Sequence, residues 1–263
     1  MEQGASRPDA SKGSGGADIG EVSRSLSPHH RRSPPHELDR EKFMPSAGEP
    51  ESDRCGLWIL PSELAGALVR LEALRWSHLP GLATAAQAEE IWTWMPCDLR
   101  PQACLRAWME EAFAQRAAGC ACPFAIVSQW DGSVVGSTRF MEMDPANRSV
   151  EIGWTWLHPS AWSTGMNTEC KYLMLRYAFD EWKVVRVQLK TDARNTRSRR
   201  AIERIGGVFE GVLRCHRLLP GGGRRDSAFY SILDTEWPAV SLRLAEILSG
   251  EFSGGAGRQS GAG

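Results

Sequence analysis

Three short segments carry residue types whose spacing could do chemistry. The first is His158-Pro-Ser-Ala-Trp-Ser-Thr-Gly-Met-Asn-Thr-Glu169, a polar, glycine-containing run between a predicted strand and a predicted helix. Such a backbone presents unpaired amides, and the helix dipole adds to their pull on an anion, so a phosphate could sit there. The plain alternative is a Ser-Thr-Gly turn that caps a helix. The second segment is Asn195-Thr-Arg-Ser198 with the helix it opens. On a helical wheel Ser198 shares the face of Ala201, Ile202 and Ile205, whereas Arg197, Arg199, Arg200 and Glu203 point elsewhere. A hydroxyl therefore faces the core side, for chemistry or, with Asn195, merely as a cap. The third is Glu151, whose neighbours on its strand face are Gly153 and Thr155. Small side chains beside a carboxylate leave a slot above a sheet for an extended ligand, and the carboxylate could take a proton. An edge salt bridge or a solvated strand face is the competing account.

The periodicity supplies the elements that must hold these residues. Leu68, Val69 and Leu71 open a predicted first strand, and helical stretches come next around Ala85 to Trp94 and Leu99 to Ala117. Phe124 to Trp130 and Ser133 to Met141 read as antiparallel strands joined by Asp131-Gly132, a strong two-residue hairpin signal. Val150 to Leu157 alternates, with Val150, Ile152, Trp154 and Trp156 on one face and Glu151, Gly153, Thr155 and Leu157 on the other; Pro159 ends it. Asn167 to Trp182 has the apolar spacing of a helix packed on a sheet, at Cys170, Leu173, Met174, Tyr177, Ala178 and Trp182. Val185, Val187 and Leu189 alternate with Arg186, Gln188 and Lys190, and a helix then runs from the Asp192 to Asn195 turn to Gly206-Gly207. Phe209 to Leu218 and Ser227 to Leu233 close the pattern as a hairpin across Gly221 to Gly223. The expected fold is α/β, with strands at Val150 and Val184 parallel because a crossover helix joins them.

Composition narrows the class. The chain has 263 residues, 31 basic against 32 acidic side chains and 42% hydrophobic residues, enough for a globular core and too balanced to argue for a nucleic-acid or anionic-membrane binder. No apolar run approaches the roughly 20 residues that span a bilayer, and the N-terminus lacks the apolar region of a secretory signal. Seven cysteines lie scattered without disulfide-framework spacing, which reads as a reducing cytoplasm. The close pair, Cys120 and Cys122, has no second pair at zinc-ligand spacing, so no metal site is expected. Residues 1–50 are Ser, Gly, Pro and charge, an expected disordered tail in which His29, His30 and His36 are solvated; the ordered domain is expected over 51–249, with 250–263 a flexible glycine-rich tail.

Several stretches taken together resemble the GNAT superfamily of acyl-CoA-dependent N-acetyltransferases, and within it the ribosomal-protein N-terminal (RimJ/RimL-type) branch. The resemblance covers roughly Gly56 to Leu248. It is carried by Val150-Glu-Ile-Gly-Trp-Thr-Trp156, Thr164-Gly-Met-Asn-Thr-Glu-Cys-Lys171, Lys190-Thr-Asp-Ala-Arg-Asn-Thr-Arg-Ser198, Glu210-Gly-Val-Leu-Arg-Cys-His216 and Arg225-Asp-Ser-Ala-Phe-Tyr-Ser231. It implies a mostly antiparallel sheet with a parallel central pair and helices on both faces. It also implies acetyl-CoA as co-substrate, its pyrophosphate on the backbone amides of Ser163, Thr164, Gly165, Met166, Asn167 and Thr168, and its pantetheine beside Asn195. One departure stands out: Trp162 holds the place where the superfamily's turn has Arg or Gln, and Asn167 the place of its final Gly or Ala.

An amine attacks a thioester only when unprotonated, so Glu151, directly or through a water, is the candidate base. The strand backbone from Ile152 to Trp154 is the candidate oxyanion donor if it splays from its neighbour, as in the family. Ser198 matches the hydroxyl position of the similar branch and is the candidate acid for the thiolate. Arg214, His216 and Tyr230, with Asp226, fall on the final hairpin that borders the acceptor groove in the family, although an Arg214 to Asp226 cross-strand pair would explain two of them. Arg194, Arg197, Arg199, Arg200 and Arg204 suit either the 3′-phosphate of coenzyme A or a solvated face. The expected activity is acetyl transfer to an amine, a protein N-terminus or small molecule, by direct attack in a ternary complex. The alternative is a non-catalytic coenzyme A sensor or interaction module. Neither nucleic acid nor membrane is expected as a partner, and a homodimer stays open.

Overall fold

The computed structural model of the protein describes residues 58–219 and 222–255. The expected N-terminal tail over 1–50, and residues 256–263 of the expected C-terminal tail, lie outside them. In chain order the elements are β1 (Glu63–Ala65), β2 (Val69–Ala73), α1 (Leu79–Ala85), α2 (Gln102–Ala117), β3 (Cys122–Ser128), β4 (Val134–Asp144), β5 (Ser149–Leu157), α3 (Met166–Arg176), β6 (Arg186–Asp192), α4 (Thr196–Arg204), β7 (Val208–Leu218), β8 (Arg224–Leu233) and α5 (Trp237–Gly255). The strands form one sheet in the order β1-β2-β3-β4-β5-β6-β8-β7. Every neighbouring pair is antiparallel except β5 and β6, the parallel pair that α3 joins. The fold is the expected GNAT-like mixed sheet.

Helices cover both faces. On β3, buried along its whole length, Phe124 and Ile126 join a core with Cys170, Leu173 and Met174 of α3, while Ala125 joins one with Leu105, Trp108 and Met109 of α2. The Asp131-Gly132 turn is where the pattern put it: Gly132 takes a φ of 70°, and Asp131 accepts from the Ser133 amide at 3.0 Å.

Four expectations shift. The stretch from Ala85 to Trp94 divides into α1, which starts earlier with Pro80 in its first turn, and a 3-10 segment over Glu89–Trp94. The helix expected up to Trp182 ends as α3 at Arg176 and continues as a π-helical turn, Tyr177–Glu181. The strand β1 was not anticipated, being too short to show a period. The helix α5 was not anticipated either, although Trp237, Val240, Leu244 and Leu248 stand at helical spacing; Trp237 and Leu244 enter the main core, and the helix crosses the expected start of the tail at Gly250.

The alternation read along β5 breaks in its middle. Arg139 of β4 pairs with Gly153, but the next registered pair is Ser137 with Trp156, so Trp154 and Thr155 together face Thr138. Trp154 sits at a φ of 49°, the mark of a β-bulge. The extra residue flips the remainder of the strand: Leu157 joins Val150 and Ile152 in the core beneath α3, while Trp156 packs against Trp92 and Trp108 on the other side. The four residues expected on one face are therefore divided between two.

Candidate active site

The parallel pairing of β5 with β6 ends after Glu151 and Gln188. Beyond it β6 pairs only with β8, and a cleft of about 850 Å³ opens between the two strands. Ile152, Gly153, Trp154 and Thr155 line it from β5, and Leu189, Lys190 and Thr191 from β6. The β5 backbone is thus splayed from its neighbour across the bulge, where sequence placed the oxyanion donors.

At one end the cleft reaches the N-terminus of α3. Gly165 is the helix N-cap, in the left-handed region at φ 86°, and Ser163 before it has φ 61°. This conformation turns the chain sharply into the helix and leaves the first-turn amides at the cleft. Ser163, Gly165, Asn167 and Thr168 line the cleft. Thr164 and Met166 do not: the Thr164 hydroxyl donates to the Ala161 carbonyl at 2.8 Å, and Met166 is buried in the core. Glu169, in the first turn of α3, holds the helix in place. Its carboxylate is 4% exposed and accepts from the amides of Ala67, Leu68 and Val69, each at 2.7 Å, tying α3 to the β1–β2 turn.

Trp162 closes this end. Its Nε1 donates to the Leu157 carbonyl at 2.9 Å, and the Arg197 guanidinium lies 3.5 Å from its ring centre. Arg197 therefore corrects the wheel, which sent it away from Ser198: both line the cleft. Burial against the indole lowers the Arg197 pKa. A cation from α4 thus stands beside the position that lacks the superfamily's Arg or Gln. Asn195 caps α4 by accepting from the Ser198 amide at 3.0 Å, and both residues line the cleft, so capping and cleft-lining coexist. Of the other arginines, Arg194 pairs with Asp192 and Arg199 donates to Tyr230.

Glu151 lines the cleft and is 1% exposed. Its Oε2 accepts from Lys190 Nζ at 2.6 Å and Gln188 Nε2 at 2.9 Å, while Oε1 lies beside Gly153, where a Cβ would come within 2.9 Å of it. Glu151 thus forms a salt bridge on an interior strand, not at an edge, and at 1% exposure it is no solvated face; it lines the cleft as well.

The hairpin residues separate. Tyr230 is fully buried; its hydroxyl accepts from Arg199 Nε at 2.8 Å and donates to Glu203 Oε1 at 3.0 Å, so it braces α4 and does not line the cleft. Arg214 is exposed and also off the cleft, and the Asp226 carboxylate takes the Cys215 amide at 2.6 Å. His216 is half-buried, with Nδ1 at 2.9 Å from Ser227 Oγ. Burial lowers its pKa, and the positive charges of Lys190, Arg217 and Arg225 lower it further against the opposing pull of Glu151.

Four cationic or polar groups escaped the sequence reading. Lys171 of α3 lines the cleft and is buried, with Nζ donating to Thr155 Oγ1 and, at 3.3 Å, to Thr138 Oγ1; burial lowers its pKa. Its signal was present: a lysine three before Met174 and seven before Ala178 falls on the apolar face. Arg139, 2% exposed, lies between the rings of Trp108 and Trp154 at 4.9 and 5.3 Å and donates to Gln115, with burial lowering its pKa to about 10. Arg217 and Arg225 line the cleft from β7 and β8. Among the described residues no cluster could hold a metal ion, and no helix is long and apolar enough to cross a membrane.

Comparison with known proteins agrees with this geometry. The Bacillus subtilis (strain 168) protein named "Putative ribosomal N-acetyltransferase YdaF" is 34% identical over 41% of this chain, and the Bacillus licheniformis "Uncharacterized N-acetyltransferase p20" is 27% identical over 45%. The chain spans 58% and 66% of the length of these two relatives. The crystal structure of a GCN5-related N-acetyltransferase from Brucella melitensis is 31% identical, covers 71% of this chain and 86% of its own, and superposes with a TM-score of 0.65. The model of the acetyltransferase (GNAT) domain matches residues 69–208, more than half of the sequence, and the chain belongs to that family.

Proposed function

We propose that the protein is an acetyl-CoA-dependent N-acetyltransferase that passes an acetyl group directly to an amine held in the same cleft. The observation that carries this reading is the junction of a splayed β5/β6 edge with the Gly165 turn at the N-terminus of α3. Those features suit the two ends of acetyl-CoA: an extended amide chain can pair with free strand edge, and phosphates suit unpaired helix amides. Arg197 on Trp162 adds a cation at the phosphate end. Acetyl-CoA supplies an acetyl thioester.

Each residue then has a task. The β5 backbone at Ile152 to Trp154 offers donors to the thioester oxygen, pre-set by the bulge. Glu151 stands on the same strand with Oε1 beside Gly153, and Lys190 and Gln188 hold its other oxygen, so the carboxylate is fixed in orientation to take a proton from the amine, directly or through a water. Ser198, on the opposite wall, is the group proposed to return a proton to the thiolate. The acceptor is a protein N-terminus or a small-molecule amine. The described cysteines are all free, which suits a cytoplasmic enzyme. Release of free thiol from acetyl-CoA in the presence of a panel of amines and N-terminal peptides tests the reading. Thermal stabilisation by coenzyme A with no thiol release for any amine would favour the non-catalytic sensor instead.

A further inference from the structure

The wall of the cleft built by β7 and β8 bears on which amine is accepted, an inference that rests on the transfer reading above. Arg225 is 8% exposed, lines the cleft, and has an Nε with no hydrogen-bond partner. Directly opposite it in the β7–β8 register stands Arg217, which also lines the cleft. Like charges at paired positions repel, and a buried donor left unmet is destabilising. The neighbouring carboxylates are already committed. Glu151 is taken by Lys190 at 2.6 Å, Asp192 by Arg194 at 2.9 Å, and Asp226 Oδ1 by the Cys215 amide at 2.6 Å. Among the described residues neither Arg217 nor Arg225 has an ion pair. The hairpin is also bent at this place. Its register shifts between Leu213 and Arg217, with Cys215 at a φ of 51°, and such irregularities re-aim side chains.

We propose that Arg217 and Arg225 form an anion subsite for the acceptor, so that the substrate is an amine that also carries a carboxylate, as in a peptide with an acidic residue next to its N-terminus. Guanidinium groups match a carboxylate with paired, charge-assisted hydrogen bonds, and an incoming carboxylate relieves both the repulsion and the unmet Nε. The position favours the acceptor over a cofactor phosphate. The phosphate-fitting turn lies at the N-terminus of α3, whereas this pair belongs to the strands beyond β6, with Arg225 close enough to Asp192 and Glu151 to feel the charge of both carboxylates.

The test is calorimetric titration of the coenzyme A-loaded protein with the peptide amides Ser-Asp-Ala-Ala and Ser-Asn-Ala-Ala, for the wild type and for Arg225→Gln, Arg225→Lys and Arg217→Gln. The wild type is expected to bind the acidic peptide at least tenfold more tightly. The two Gln variants should bring that ratio close to one, and Arg225→Lys should keep part of it. Arg217 is exposed, so its variant reports even if Arg225→Gln fails to fold. Failure to bind either peptide, equal binding by the wild type, or a preference that survives in the Gln variants overturns the proposal. So does weakened coenzyme A binding with the preference intact, which would assign the pair to a cofactor phosphate. Thiol release is measured with both peptides in parallel: a binding preference without any release counts against the transfer reading and leaves the subsite standing.

Discussion

Replacing Glu169 by Gln should loosen the attachment of α3, and the size of the effect can be worked from the hydrogen bonds. The carboxylate accepts three backbone amides, with Oε1 taking Ala67 and Oε2 taking Leu68 and Val69. Glutamine keeps one acceptor oxygen. Placed at the Oε2 position, it still serves Leu68 and Val69 as a neutral acceptor, while its NH2 group meets the Ala67 amide donor to donor. A charge-assisted bond contributes about 1.5–3 kcal/mol and a neutral one about 0.5–1.5. Losing one bond costs about 2 kcal/mol and weakening the other two about 1 kcal/mol each, together about 4 kcal/mol. The turn packs directly on the carboxylate, since a Cβ on Gly66 would stand only 2.4 Å from the Glu169 carboxyl carbon. For a domain of this size the loss corresponds to a fall in Tm of roughly 8–16 °C, read by calorimetry or circular dichroism. A shift below about 3 °C would mean that the three amides are satisfied without the carboxylate and that the clamp is not what holds α3.

Glu151→Gln should lower kcat roughly 10²- to 10⁴-fold with little change in acetyl-CoA affinity, and raising the pH should restore part of the rate as more amine deprotonates unaided. Ser198→Ala should cost less, since a thiolate of parent pKa near 8.5 leaves tolerably without a donor; normal turnover in both variants would mean that positioning alone drives transfer. Gly165→Val places a β-branched residue at φ 86° and a side chain at the helix amides, so the acetyl-CoA dissociation constant should rise; unchanged affinity in a folded variant would locate the phosphates elsewhere. The Arg194 guanidinium holds the Asp192 carboxyl below the usual carboxylate range. Its stabilising effect is therefore complete above the unfolded pKa of about 3.9 and is lost as pH falls through the lower folded value, and Asp192→Asn should flatten the acid limb of Tm against pH. The 62% exposure of the Arg194 side chain keeps that effect small.

Local pattern was sufficient for much of this fold. Alternation in β6, the Asp131-Gly132 turn that joins β3 to β4 and the apolar stripe of α3 are properties of adjacent residues, and a crossover helix requires the β5–β6 pair to be parallel. The motif residues Glu151, Gly165, Asn195 and Ser198 could be located for the same reason, since each lies where one element hands over to the next or where a strand face carries small neighbours. What local pattern could not supply were contacts between residues far apart in the chain. One additional residue at Trp154 reverses the facing of everything after it, and alternation counted along the sequence cannot see an insertion defined only against β4. The helical wheel puts Arg197 off the face of Ser198, yet a long side chain can reach across to Trp162 of another element. Tyr230, on a hairpin that borders the cleft, is withdrawn from it by Arg199 and Glu203 of α4. Glu169 reaches amides 100 to 102 positions away, and Arg217 meets Arg225 only because the hairpin register pairs them. Secondary structure arises from the spacing of neighbours, whereas the partner of a buried charge is chosen by packing and by the need to satisfy every group withdrawn from water, which only the assembled chain determines.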